Sequence, residues 1–257
     1  MNVGGTKYGI VIPSFNSGPM LARTVRDALP LGCPVIVVID GSTDGSENDL
    51  RGLEADWPHL HVIKLSRNSG KGAAALTALE FASGLGLTHT LLLDSDGQHE
   101  AADIPEFLAA SRAHPEAMIL GVPVFGPDAP RVRVQGRRAG NWFANLETWW
   151  GGIEDSLFGL RVYPVPAALQ ILHSIRGARR FDFDTQLAVR LYWDGVPPLN
   201  IPTRVHYHEA AQGGVSHFRY WRDNLLLVRA HAALLSRSFL LVPRLARLRR
   251  RGPLARP

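Results

Sequence analysis

The sequence predicts an α/β protein built on a mostly parallel, Rossmann-like sheet with helices on both faces. Three observations predict it. Short apolar runs alternate with stretches of helical spacing. Polar loops rich in Gly, Asp and Ser close several of those runs. The 257 residues, 46% of them hydrophobic, supply enough apolar surface for a sizeable core. Strands covered on both faces read as continuous apolar runs, and sheets of this kind hold ligands at the carboxyl ends of their strands.

The runs at 8–13, 34–39, 61–65, 90–93 and 118–122 are short and mostly free of interior polar residues, as doubly buried strands require. Between them, 19–29, 46–54, 73–83 and 104–113 carry helical spacing, with Ser17 and Asp103 placed to cap the first and the last. The order is βαβαβαβαβ. A loop rich in Pro, Gly and Arg then runs over 123–136, followed by a helical, aromatic stretch over 137–150. A second set follows: a strand over 157–163, helices over 166–175 and 184–193, a strand over 199–207, and an amphipathic, Arg-rich helix from 219 onward. The expected division is a body over 1–218 and a basic tail over 219–257.

Composition narrows the function. The single cysteine, Cys33, excludes an internal disulfide and a zinc ribbon and suits a reducing compartment. The start, MNVGGTKYGIVIPSFN, lacks the charged and then apolar pattern of a secretory signal. No stretch reaches the roughly 18 uninterrupted apolar residues of a spanning helix; the nearest, 225–242, is cut by Arg229, His231 and Arg237. The formal charge is +5, but from Arg219 onward ten Arg face one acid, Asp223, which leaves the body at −4. A mildly acidic body with a cationic appendage argues against nucleic acid as a partner.

The strongest chemical signal is Leu91-Leu92-Leu93-Asp94-Ser95-Asp96-Gly97-Gln98-His99, where an apolar strand runs into two carboxylates spaced i, i+2. In an extended backbone Asp94 and Asp96 face the same way, and hard oxygen ligands suit Mg²⁺ or Mn²⁺, with Gln98 as a third ligand. The same letters also spell a turn after a strand. Val37-Val38-Ile39-Asp40-Gly41-Ser42-Thr43-Asp44-Gly45-Ser46 and Arg67-Asn68-Ser69-Gly70-Lys71-Gly72 are Gly-rich loops at strand ends. Each is either a tight turn or a cradle whose backbone N–H groups hold phosphate or sugar oxygens.

Together with Val11-Ile12-Pro13-Ser14-Phe15-Asn16, these elements resemble the family 2 glycosyltransferases of the GT-A fold, motif by motif and in order. Downstream, Asp155-Ser156-Leu157-Phe158-Gly159-Leu160-Arg161-Val162-Tyr163-Pro164 is similar to the G-F-R-x-Y-P segment of the branch that makes polyprenyl- and dolichyl-phosphate sugars. Gly214-Val215-Ser216-His217-Phe218-Arg219 is similar to that branch's G-x-S-K element near the acceptor phosphate, with His217 in place of Lys. The resemblance covers about residues 8 to 220. The ending Ser216 to Asn224 is also similar to bacterial members that accompany acyltransferases in aryl-polyene lipid pathways.

The resemblance implies a nucleotide-binding half over 1–122 and an acceptor half over 123–218. It implies a UDP- or GDP-sugar donor contacted by Pro13, Phe15, Asn16, Asp40 and Lys71, and a Mg²⁺ or Mn²⁺ ion held by Asp94 and Asp96 with Gln98. It further implies inversion by direct displacement. An acceptor hydroxyl then needs a general base, and Asp184 falls at the family's position for one; its other reading is a helix N-cap, with Asp182 in reserve. Arg131, Arg133, Arg137 and Arg138 suit phosphate recognition or a solvated loop, and Arg161, Ser216, His217 and Arg219 join Arg131 and Arg133 as candidate acceptor contacts. Arg161 is alternatively a partner of Asp155. Ile39 replaces the first of the family's two aspartates, which leaves the nucleotide base open.

His206, His208 and His217 lack the cysteine or carboxylate pattern of a zinc site and suit the acceptor rim. Trp142, Phe143, Trp149 and Trp150 read either as helix packing or as a platform for a sugar. The tail reads either as a helix packed on the body or as a segment in the interface of an anionic leaflet, which places the enzyme peripherally on the cytoplasmic face of the membrane. Two rivals remain: a dinucleotide oxidoreductase, from Gly70-x-Gly72-x-x-Ala75 followed by Asp94, and a non-catalytic nucleotide-sugar-binding module.

Overall fold

A computed structural model describes residues 5–97, 99, 101–126, 131–175, 177, 180–205, 220–250 and 254. Seven strands, β1 (Tyr8–Ser14), β2 (Val35–Asp40), β3 (Leu60–Leu65), β4 (His89–Leu92), β5 (Met118–Val124), β6 (Arg161–Pro164) and β7 (Pro198–Arg204), form one sheet in the order β3-β2-β1-β4-β6-β5-β7. All neighbours are parallel except β6, which runs antiparallel to both β4 and β5. That one reversed strand lets the chain return through the centre of the sheet and sets Arg161 opposite Leu92, at the end of β4.

Strand alternation divides the core. Ile10, Ile12, Val35 and Val37 face one side, with α1 (Pro19–Ala28) and α4 (Ile104–Ala113). Val11, Ile36, Val38 and Leu92 face the other, with α3 (Lys71–Gly84), α6 (Val165–Ser174) and α7 (Asp182–Asp194). The buried face of α3 is Gly72, Ala74, Ala75, Ala78, Leu79 and Ala82, all small but Leu79, so the helix lies close on β1 and β2.

Several expectations change in detail. Gly18, not Ser17, sits at the N-cap of α1, with Pro19 filling the first helical position, where a missing N–H costs nothing. The segment 46–54 is a 3₁₀ turn over Ser46–Leu50 followed by α2 (Arg51–Asp56). The loop expected over 123–136 is shorter at both ends, because β5 extends to Val124 and α5 spans Arg131–Glu147.

The basic tail forms α8 (Tyr220–Leu240) and α9 (Val242–Arg249). Leu234 and Leu245 are fully buried and join the same apolar cluster as Phe183 and Leu187. Buried His231 meets Glu147 of α5 at 2.7 Å. The segment set apart at 219 therefore shares the core of the body. Leu234→Ala should cost about 2–5 kcal/mol and lower the midpoint of a single urea transition; a separate early transition of the tail would show the helix to be independent.

Candidate functional site

The loops at the carboxyl ends of the strands are laced to one another by their own polar side chains. Asn16, in a left-handed conformation at φ 46 after β1, accepts a hydrogen bond from Thr43 N at 2.7 Å, while its own N–H reaches Ser42 Oγ at 3.0 Å. The Asp40 carboxylate, buried at the end of β2, accepts from Ser69 N and Gly70 N, both at 2.7 Å. Gly41 is required there, since a Cβ would overlap the backbone of Arg67 and Asn68. Ser14 donates to Ser17, which shares a 2.7 Å hydrogen bond with Ser95. Ser17 thus ties two loops together instead of capping a helix.

Below these loops lies a cluster of buried charge. The Lys71 ammonium, on the first residue of α3, stands 2.8 Å from Asp94 Oδ1 and 2.8 Å from Asp184 Oδ2. A cation at a helix N-terminus opposes the helix dipole, so the position depends on its two carboxylates. Burial alone would lower the Lys71 pKa, but Asp184 and then Asp94 outweigh it and hold it above the ordinary lysine value. The two acids differ. Asp94, with 26% of its side chain exposed, is drawn below the usual carboxylate range because Lys71 overrides its burial. Asp184, at 3%, is pushed above that range by burial, which Lys71 and Arg161 only partly offset.

The floor of the cluster is the segment 156–161. A Cβ on Gly159 would overlap the Asp94 carboxylate, so the glycine makes room for the acid. Arg161 corrects an expectation: instead of reaching an acceptor, it is completely buried and donates to Phe158 O at 2.5 Å, Tyr163 Oη at 2.9 Å and the Asp184 carbonyl at 3.1 Å. Nor does it pair with Asp155, whose carboxylate takes Arg137 at 2.7 Å, Asn141 and the N–H groups of Leu157 and Phe158. Arg137, expected either to recognise phosphate or to belong to a solvated loop, has a structural partner instead. Asp184 is the third residue of α7 and makes no capping bond, while Asp182 accepts from Gln186 at 2.8 Å.

Other expectations fare differently. β4 stops at Leu92 and residues 95–96 turn, so Asp94 and Asp96 do not follow strand alternation; both are half-buried. Pro13 is buried inside β1, leaving Phe15 and Asn16 half-buried at its end. Arg131 and Arg133 lie in the first turn of α5, with side chains outside the description. Gln98, His206, His208, Ser216, His217 and Arg219 lie outside the described residues. Sequence reasoning missed Gly159, the Arg137–Asp155 pair and His99, whose ring meets Phe158 edge-on at 4.6 Å. Gly159 stands inside the segment similar to G-F-R-x-Y-P and His99 closes the Asp94–Gln98 motif, but nothing local marks the space kept for Asp94 or the packing on Phe158.

Residues 9–170 match the family model described as glycosyl transferase family 2. The chain belongs to that family. Among curated relatives, this glycosyltransferase is 25% identical over 189 residues to the UDP-N-acetylglucosamine–dolichyl-phosphate N-acetylglucosaminyltransferase of Methanococcus voltae, covering 67% of this chain and 75% of the relative. It is 26% identical over 187 residues to an undecaprenyl-phosphate mannosyltransferase of Micrococcus luteus, covering 70% and 68%. Its fold is that of glucosyl-3-phosphoglycerate synthase from Mycobacterium tuberculosis, solved with Mn²⁺, UDP-glucose and phosphoglyceric acid, at a TM-score of 0.67 and 17% identity over 91% of this chain and 80% of that one. A mannosyltransferase from Pyrobaculum calidifontis, solved with GDP-Man and Mn²⁺, matches at 0.56 and 16% over 96% and 74%.

The GT-A fold and the family exclude the oxidoreductase alternative. The Gly70 turn follows β3, at the edge of the sheet, and the Asp94 carboxylate is engaged by Lys71.

Burial lowers the His99 pKa from 6.5 to about 4, with its Nδ1 buried and unbonded. The unfolded chain therefore binds a proton in this window that the folded chain refuses. Stability should be intact above pH 6.5 and fall toward pH 4, with a slope of up to about 1.4 kcal/mol per pH unit. Urea unfolding of His99→Phe across that range should lack this component; an unchanged slope would assign the pH dependence elsewhere.

Proposed function

We propose that this glycosyltransferase moves a sugar from a UDP- or GDP-sugar, with inversion at the anomeric carbon and with Mg²⁺ or Mn²⁺, to a lipid-linked acceptor at the cytoplasmic face of the membrane. The observation that carries the proposal is the convergence of Asp94, from the end of β4, and Asp184, from α7, on one ammonium group beneath the Asp40 and Asn16 loops. The relatives that act on dolichyl- and undecaprenyl-phosphate support the acceptor class.

Among the described residues no group of three or more His, Cys, Asp or Glu forms a metal cluster. The donor set still fits the ion, because Mg²⁺ is commonly held by one or two carboxylates while water and substrate phosphates complete its octahedron. Asp94 and Asp96, with Gln98, would hold it, and once bound it would neutralise charge on the departing nucleoside diphosphate. In this reading Phe15, Asn16 and Asp40 shape the nucleotide pocket. Lys71 balances the two acids. Arg131, Arg133, Ser216, His217 and Arg219 would contact the acceptor.

In the displacement, an acceptor oxygen bonds to the anomeric carbon as the bond from that carbon to the diphosphate oxygen breaks, and the leaving group keeps the electron pair. An acceptor phosphate is already an anion. An acceptor hydroxyl must lose a proton, and burial makes Asp184 the more basic of the two carboxylates. That observation favours a second reading, in which the acceptor is a lipid or aryl-polyene-type hydroxyl.

Release of nucleotide from a panel of UDP- and GDP-sugars, with membrane lipid extract and Mn²⁺ or Mg²⁺, tests the function. One donor should turn over only with metal, and Asp96→Ala should lose roughly 100-fold or more; turnover by no donor would leave a binding module. Asp184→Asn should cost roughly 10²–10⁴-fold with a hydroxyl acceptor and far less with a phosphate. Lys71→Met should destabilise the protein in chelator by about 3–5 kcal/mol, since two buried acids lose their counter-charge. Mn²⁺ should then raise its melting temperature more than that of the natural protein; equal shifts would mean that Lys71 does not balance the site where the ion enters.

A further inference from the structure

The two readings of the tail are two faces of one helix. Asp223, Ala230, His231, Leu234 and Ser238 of α8 are buried against the body. On the opposite side Trp221, Leu225, Val228, Ala232, Leu235 and Phe239 follow one another at intervals of four and three, the spacing of a single helical stripe. Trp221 is 86% exposed, Leu225 52%, Val228 64% and Phe239 65%. The stripe is about 27 Å long, from 1.5 Å of rise per residue. At its end the chain turns 88° into α9, and Leu240 projects from the corner at 81% exposure.

The face is wider than the helix. Leu146 in the last turn of α5, with Trp149 and Trp150 just after it, meets Leu235, Phe239 and Arg249 around an apolar groove of about 260 Å³. Trp150 and Trp142 are each more than half exposed. The segment itself is strongly basic. Residues 220–250 hold seven Arg and a single acid, Asp223; Arg222 pairs with Asp223 at 3.0 Å and Arg244 with Asp194 of the body at 3.3 Å, which leaves an excess of arginine.

We infer that the exposed stripe of α8, with the aromatic end of α5, is a docking surface for an anionic lipid bilayer, on which the helix lies without crossing. Unbalanced arginine around aromatic and aliphatic side chains is what an interfacial helix presents to acidic headgroups. The same excess of cations disfavours a second copy of the chain, since two such faces would repel. Among the described residues no single helix is long and apolar enough to cross a membrane; α8 and α9 reach that length and composition only as a pair bent by 88°. The choice of a bilayer rests in part on the lipid-linked acceptor proposed above. In sequence α8 directly follows the element at 214–219 expected beside that acceptor.

Sedimentation of the full chain with vesicles tests the inference without any sugar transfer, so docking and the proposed reaction fail separately. The probes are phosphatidylcholine vesicles with and without phosphatidylglycerol. The natural protein should bind the anionic vesicles, release as salt rises, and bind neutral vesicles poorly. Leu225→Ser combined with Val228→Ser and Phe239→Ser should lower binding by roughly tenfold or more with an unchanged melting temperature and far-UV dichroism. Should that variant fail to fold, the comparison of neutral and anionic vesicles with the natural protein decides alone. Equal binding to both lipids, no binding to either, or a folded variant that binds as well as its parent would overturn the inference. So would a dimer in light scattering that the triple variant abolishes, since it would give the face to a second copy.

Discussion

One ammonium group bridges two acids brought from distant parts of the chain. Lys71 comes from the start of α3, Asp94 from the end of β4 and Asp184 from the first turn of α7, and both ion pairs measure 2.8 Å. Buried charges are expensive unless paired and hydrogen-bonded, so this contact constrains what surrounds it. Gly159 is the residue that leaves space for Asp94. Arg161, also fully buried, adds the second positive charge that balances the two acids. The antiparallel β6 exists at this point in the sheet to deliver Arg161 from below, opposite Leu92. Lys71 and Arg161 together match the charges of Asp94 and Asp184.

The same economy of polar groups governs the rim. Asp40, Asn16, Ser17 and Asp44 are residues that favour caps and turns, and here each spends its side chain on a neighbouring loop. Asp44 accepts from Gly18 N at 2.9 Å and Ser46 N at 3.1 Å. Loops so laced are ordered before a ligand arrives, which reduces the entropy a nucleotide must offset on binding. It also explains why Ser17 fails as a helix cap. Propensity describes what a short polar residue does with its own backbone; it is silent on partners such as Ser95, 78 residues away.

Much of the fold was legible in the sequence because strands buried on both faces leave unbroken apolar runs. All seven strands appear, and their ends shift by one or two residues except at β7, which stops at Arg204 short of the expected 207, and at β6, where the expected start at 157 gives way to Arg161. That error has a physical cause. Leu157, Phe158 and Leu160 look like strand residues, yet Phe158 packs under His99 and the segment bends to pass Asp94. The four loops were legible as motifs, but their internal geometry was not. The expectation that Asp94 and Asp96 share a face assumed an extended backbone, and the strand ends before either is reached. The fate of the arginines was the least legible. Arg137 and Arg161 have the same composition as solvent-exposed Arg138, and only long-range partners distinguish them.

The tail carries the last step. A helix that packs on a body needs one apolar face, and its other face is ordinarily polar. In α8 the packing needs are met by Ala230, Leu234 and their neighbours, with His231 satisfied by Glu147. Leu225, Val228 and Phe239 lie off that packed face and leave more than half of their surface in water. Scattered exposed apolar residues are normal, but a stripe in register along a whole helix and continued by Trp150 is a patch, and patches of this kind mark contacts. Were folding alone the constraint, serine or lysine at those positions would serve as well. Their presence beside an arginine excess is what the proposed docking surface accounts for and what packing on the body does not.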